Sequence, residues 1–233
     1  MKLQKETSSS DRGQREHGRW YDDACGTAFG LEILGERWAM LIVRELLLGA
    51  RRFSDLRDAL PGISAKVLTE RLESLAEWGV LTRKTLPPPA ATQVYELTEW
   101  GYRAEPAIME LGRWAALSLR HNPQLPLSAV SLMTSMKTMQ LPALAQAPDM
   151  AVGMAVGGEE FVVSIRQGLF GAERAPVAGC PAVLRAPAAP PIAGALYADI
   201  PLEALEAEAG LVVEGDRALL RRFIGLFALP PRI

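Results

Sequence analysis

Cysteine and histidine are scarce in this 233-residue chain, two of each, which excludes a disulfide framework and a Cys/His zinc site. Cys25 and Cys180 stand far apart in the chain. The first nineteen residues carry Lys2, Lys5, Arg12, Arg15 and the run Ser8 to Ser10 but not the apolar stretch of a secretory leader, so a reducing cytoplasm is the expected compartment. No apolar run reaches membrane-spanning length, and no membrane partner is expected. An excess of either charge is missing too: 25 Lys+Arg stand against 27 Asp+Glu, which excludes a histone-like polybasic binder and an acidic solvating tail. Any affinity for nucleic acid has to be local. Nor is there a Ser/His/Asp set, a metal-ligand cluster, a phosphate loop or a dinucleotide fingerprint. With His17 in a tail and His121 in a linker, no catalytic residue, metal or cofactor is expected.

What is present is an ordinary globular composition, 49% hydrophobic and 22% charged, in a chain long enough for two packed units. His121, Asn122, Pro123 and Pro126 interrupt a helical pattern and separate a segment rich in Arg and Trp from one rich in Ala, Gly and Pro. The reading is therefore a disordered tail over residues 1–19, a first unit over 20–122 and a second, sheet-plus-helices unit over 123–233, an α+β chain overall.

In the first unit, apolar residues recur at spacings of three and four: Phe29, Ile33 and Leu34, then Trp38, Leu41, Ile42 and Leu46, then Leu68, Leu72 and Leu75. Those are amphipathic helices. Ser54 is expected to cap a short helix through Leu60, Pro61-Gly62-Ile63 to turn, and Ser64 to cap a longer helix ending at Gly79, a helix-turn-helix. Val80 to Leu86 and Gln93 to Leu97 read as two strands around a Pro-rich tip, which completes a winged helix. Thr98 is expected to cap a long helix bent at Pro106, with Ile108, Leu111, Trp114, Ala115 and Leu119 on one side.

On the helix after Ser64, the core-facing leucines leave Ser64, Ala65, Lys66, Thr69, Glu70 and Glu73 outside, with Arg71 near the margin. Short side chains at that amino end permit approach to a major groove, and Lys66 is a donor for guanine acceptors or phosphate. Arg51 and Arg52 flank the start of the preceding helix, whose free amides suit a phosphate, while Arg83 and Lys84 lie on the first wing strand. Between residues 37 and 86 nine basic residues face six acidic ones, a modest surplus that a protein-interaction module with a solvated charged face also accommodates.

The motifs Leu31-Glu32-Ile33-Leu34-Gly35-Glu36-Arg37-Trp38, Arg44-Glu45-Leu46-Leu47-Leu48-Gly49, Arg52-Phe53-Ser54-Asp55-Leu56, Pro61-Gly62-Ile63-Ser64, Lys66-Val67-Leu68-Thr69 and Tyr95-Glu96-Leu97-Thr98 resemble the HxlR-type bacterial winged-helix regulators. The resemblance implies a cytoplasmic transcriptional regulator that binds double-stranded DNA as a homodimer on a near-palindromic operator, repression being the more frequent behaviour. It implies that Ser64, Lys66, Thr69 and Arg71 lie on the recognition helix, with the terminal helices forming the dimer contact. The chain departs from the family at Thr92, where an arginine is frequent, and its tip from Pro87 to Ala91 is uncharged. Binding energy is then expected from Arg51, Arg52, Arg83 and Lys84, with Ser54 beside them. In some relatives a cysteine near position 25 senses redox state or electrophiles. A helix amino terminus activates a thiol, Asp22 and Asp23 oppose that, and Cys25 stands open as sensor or inert side chain.

In the second unit, Ser128 precedes a helical pattern of Leu132, Met133, Met136 and Met139. Residues 150–156 and 160–166 alternate around Gly157-Gly158 as a hairpin. Two short helices, a strand over residues 210–216 and an amphipathic end with Leu219, Leu220, Phe223 and Phe227 follow. The closing strand, turn and helix resemble the sterol carrier protein fold. That resemblance implies an apolar small-molecule effector in a cleft lined by Met133, Met136, Met150, Met154, Phe161 and Phe223, although methionines in such a pattern more often form plain core. The rival reading of the whole chain is a lipid or acyl carrier using its winged helix for protein contacts.

Overall fold

The computed structural model describes residues 21–89 and 91–233. The expected tail over 1–19, with His17, lies outside the described residues, as does Ala90 of the wing tip. Buried apolar side chains form two clusters, one in each half of the chain, and the connection between them runs through residues 117–128.

The first half contains α1 (Gly26–Leu34), α2 (Ala39–Leu46), α3 (Phe53–Ala59), α4 (Ala65–Glu77), β1 (Leu81–Thr85), β2 (Gln93–Leu97), α5 (Glu99–Tyr102) and α6 (Glu105–Ala116). Ser64 caps α4 by accepting from the Val67 amide at 3.2 Å. Leu68, Leu72 and Leu75, spaced three and four apart, turn its inner stripe onto Ile42, Leu46 and Leu56. Gly79 ends α4 with φ +72°, where a side chain would meet its own carbonyl, and that reversal feeds the wing. Strands β1 and β2 pair antiparallel from Leu81↔Leu97 to Thr85↔Gln93. Arg51 adds an isolated antiparallel bridge to β2, its amide donating to Tyr95 O at 2.9 Å and the Tyr95 amide donating back at 2.8 Å.

Two local expectations need correction. The N-cap of α3 is Arg52, not Ser54: the Asp55 carboxylate accepts the Arg52 amide at 3.2 Å, and Ser54 lies inside the first turn donating to Asp55. The long helix after Thr98 is broken rather than bent. Thr98 caps only α5, and Pro106, which has no amide proton to donate, falls in the first turn of a separate α6.

The second half contains α7 (Ala129–Thr138), β3 (Met150–Val156), β4 (Glu159–Arg166), β5 (Leu169–Arg174), β6 (Ala182–Ala186), α8 (Ala189–Tyr197), α9 (Leu202–Glu208), β7 (Val212–Gly215) and α10 (Arg217–Ile224), with a short 3-10 turn at Pro142–Gln146. The sheet order is β5-β4-β3-β6-β7, antiparallel except for β3 beside β6. Alternate residues Val152, Met154 and Val156 on β3 and Phe161, Val163 and Ile165 on β4 are buried with Met133 and Met136 of α7, Ile192 of α8 and Phe223 of α10, so helices close one face of the sheet. The hairpin at Gly157-Gly158 and the helix after Ser128 stand where the sequence pattern places them.

The two halves meet along α7, which packs on α2 and α6. Glu45, in the apolar stripe of α2, is fully buried there and accepts from Ser128 Oγ at 2.7 Å and from Arg44 Nη2 at 2.8 Å. Arg51 continues the chain of charges, 3.5 Å from Glu45 and 3.1 Å from Glu159 at the start of β4. Lys137 of α7 binds both oxygens of Glu105 on α6 at 2.8 Å. No helix among the described residues is long and apolar enough to cross a membrane.

Candidate nucleic-acid interface

Burial of one leucine stripe forces the opposite face of α4 outward, and Ser64, Ala65, Lys66, Thr69, Glu70 and Glu73 are all exposed. The amino-terminal half is the flatter part. Ala65 contributes a methyl group, Thr69 donates its hydroxyl back to Ala65 O at 3.0 Å, and the Ser64 hydroxyl oxygen is engaged in the cap. What projects is Lys66, whose side chain is 86% exposed and lies 3.9 Å from Glu70, too loose and too wet an ion pair to hold it back. The two acidic residues that follow, Glu70 and Glu73, sit progressively farther toward the carboxyl end.

The flanking cations divide into free and engaged groups. Arg52 is exposed at the start of α3, and Ser54 is exposed within its first turn. Arg83 on β1 is exposed and donates to the neutral amide oxygen of Gln93, and among the described residues no carboxylate pairs with it. Lys84 is engaged by Glu96 across the wing ladder, which lowers its value as a phosphate contact. Arg71 turns off the outer face to pair with Glu36, with its side chain only 19% exposed. Arg51 departs furthest from expectation: it is 7% exposed and is committed to Glu45 and Glu159, facing the second half of the chain instead of solvent. A guanidinium held between two carboxylates in a buried seam cannot reach a phosphate without breaking both pairs.

Cys25 is the N-cap residue of α1 and is exposed. Its thiol is shifted toward the thiolate, chiefly by the Thr27 amide, then by the Thr27 hydroxyl and the Ala28 amide, the free donors of the helix amino terminus. Cys180 is shifted the other way, by burial and by the nearby Glu160 carboxylate.

The cleft expected in the second half is not built from the residues that were to line it. Met133, Met136, Met154, Phe161 and Phe223 are at most 1% exposed within one continuous core, and Met150 packs against its edge. Helix and sheet faces pack on each other through these side chains, which belong to the core of this half.

The expected recognition helix thus offers a capped, exposed amino end with one free lysine, supported by Arg52 and Arg83. A family model for the HxlR-like helix-turn-helix matches residues 33–123. The HTH-type transcriptional regulator YvaP of Bacillus subtilis (strain 168) is 41% identical over 85 residues, covering 36% of this chain and 79% of YvaP. The chain belongs to the HxlR-like helix-turn-helix family. A second member, the HTH-type transcriptional regulator YodB of the same organism, is 37% identical over 89 residues, 38% of this chain and 78% of YodB. The solved reduced form of YodB from B. subtilis covers 42% of this chain and 97% of its own at 31% identity, with a TM-score of 0.38. The HxlR-like match places α2, α3, α4 and both wing strands inside the family region and leaves β3 through α10 beyond it.

What sequence reasoning missed is the seam. The signal was one glutamate inside the apolar run Ile42-Val43-Arg44-Glu45-Leu46-Leu47, a position where an acid needs a partner from elsewhere.

Proposed function

We propose that this chain is a cytoplasmic, homodimeric transcriptional regulator, acting as a repressor, which reads a near-palindromic operator with the amino end of α4 in the major groove. The observation that carries the reading is the outward face of α4, where small side chains surround a free Lys66 at a capped helix start. In this arrangement Lys66 reads base edges, Ser64 and Thr69 allow the close approach, and Arg52, Ser54 and Arg83 hold phosphates, while Lys84 adds little and Arg51 and Arg71 do not take part. The dimer contact falls to the apolar surface of α1 and α6, where Phe29, Leu31, Leu111 and Trp114 are exposed, Trp114 to 69%. Cys25, exposed and inclined to the thiolate, gives the regulator a site for thiol oxidation or electrophile attack. We read the second half as a sterol-carrier-like sheet-and-helix unit whose buried methionines and phenylalanines favour a packed core over a lipid-holding cleft.

The test is electrophoretic retardation of the promoter fragment of the chain's own gene by the full-length protein at several salt concentrations. Sequence-preferring retention that weakens as salt rises supports the reading. Equal retention of unrelated duplexes, or none, refutes it.

A further inference from the structure

Arg51 stands at a junction. Its amide and its carbonyl are both bonded to Tyr95 of β2, Tyr95 lies opposite Arg83 in the β1–β2 register, and the next residue along the chain is Arg52, the N-cap of α3. The two arginines assigned to phosphates, Arg52 and Arg83, are therefore tied to one backbone position, the first by a peptide bond and the second through the Tyr95 bridge. Whatever fixes Arg51 fixes the spacing between them.

The Arg51 side chain is gripped from both halves. Its Nη1 lies 3.5 Å from Glu45 Oε2 on α2, and its Nη2 donates to Glu159 Oε1 at 3.1 Å at the start of β4. We propose that Glu159 is a positioning residue for DNA binding, a carboxylate through which the second half holds Arg51 and, with it, the spacing of Arg52 and Arg83. The inference rests on the regulator reading above and adds to it a residue beyond the matched family region at 33–123.

Glu159 bears on Arg51 because it is itself held. It pairs with Val156 across the Gly157-Gly158 hairpin, and Val156 belongs to the core of the second half. Its Oε2 accepts from Arg174 Nη1; Arg174 lies opposite Phe161 in the β4–β5 register, with its guanidinium 4.8 Å from the centroid of that fully buried ring. A line of contacts thus runs from the core through Phe161, Arg174, Glu159 and Arg51 to the wing. A guanidinium held by carboxylates on two elements gives up most of its rotamer freedom, and with Glu159 gone it follows α2 alone. The direction of the effect separates positioning from plain charge: removing an acid near a DNA-binding surface reduces repulsion of phosphates and tightens binding, whereas losing the grip on Arg51 weakens it.

The experiment compares Glu159→Ala with Glu159→Gln in the full-length protein. The side chain is 26% exposed, so both variants are expected to fold, and if the alanine variant does not, the glutamine variant reads the same quantities. Both remove the same charge, but glutamine keeps an acceptor oxygen for Arg51. Glu159→Ala is expected to weaken binding to operator and random duplex alike by about fivefold or more and to lower the salt slope by up to about one, because phosphate contacts are what it disturbs. Glu159→Gln should weaken both by a smaller factor. In the free protein, hydrogen exchange at the Arg51 and Tyr95 amides, read by NMR, should be about tenfold faster in Glu159→Ala than in wild type. Unchanged or tighter DNA binding by the variants, or exchange at the wild-type rate, overturns the proposal. Wild-type protein that retains no duplex fails the regulator reading itself, whereas wild-type retention with an indifferent Glu159→Ala fails the positioning role alone.

Discussion

The Ser128 hydroxyl donates to Glu45 Oε1 at 2.7 Å across the seam, so the residue that caps α7 in one half also satisfies a fully buried acid in the other. Two roles on one oxygen make the position sensitive. Ser128→Ala removes the cap and the carboxylate contact together and should cost about 1–2 kcal/mol. Glu45→Ala leaves Arg44 and Arg51 facing a void and should cost about 3 kcal/mol or more. Urea unfolding followed by circular dichroism measures both. A loss below about 0.5 kcal/mol for Glu45→Ala contradicts the seam as a structural element.

DNA binding should divide by contact type. Lys66→Ala is expected to narrow the preference for operator over random duplex by about tenfold or more, the effect of one base contact. Arg52→Ala should weaken binding nearly equally on every duplex and reduce the salt slope by about one. Lys84→Ala, already held by Glu96, should change either quantity less than Arg52→Ala does. Retardation across a salt series reads all three.

The two thiols should separate by pH. The folded Cys25 titrates below an ordinary cysteine, so its thiolate fraction and alkylation rate rise at lower pH, while the raised Cys180 lags behind. Iodoacetamide labelling between about pH 6 and pH 10, mapped by mass spectrometry, should show Cys25 modified first throughout. Equal rates at every pH, or Cys180 first, contradict the assignment of the Thr27 and Ala28 donors.

Assembly is tested at Trp114, which is 69% exposed on the apolar surface of α6. Trp114→Glu should shift sedimentation to the monomer and lower operator affinity by about a hundredfold, because two half-sites are no longer bound by one particle. An unchanged dimer removes that surface from the contact.

Most of the first half was legible from spacing alone, because leucines at three and four, a serine cap and a Pro-Gly turn each have one local solution. The α4 boundaries and both wing strands follow from those signals. Ser54 misled because two cap-forming side chains lie within the same turn, and Asp55 reaches the Arg52 amide from inside the helix. Strands β5 and β6 were not anticipated. The turn before β5 is Gln167-Gly168, both with positive φ, and glutamine is a weaker turn signal than asparagine or aspartate. Among the site residues, Lys66, Arg52 and Arg83 are legible as outward-facing because their burial is set by their own element. Arg51 and Arg71 were not, since their partners Glu159 and Glu36 come from distant or differently oriented segments that no local period reveals. The methionine cluster suits a lining or a core on spacing alone, and in the fold Met133, Met136 and Met154 belong to the core.

The central claim is that two copies of α4 enter successive major grooves. Methylation interference at guanine N7 on the retained promoter fragment tests it directly, since that atom is exposed only in the major groove. The account predicts interference at two symmetry-related clusters about 10 base pairs, or one helical turn, apart, lost from both when Lys66 is replaced by alanine. Interference confined to a single cluster, or binding indifferent to guanine methylation, contradicts it.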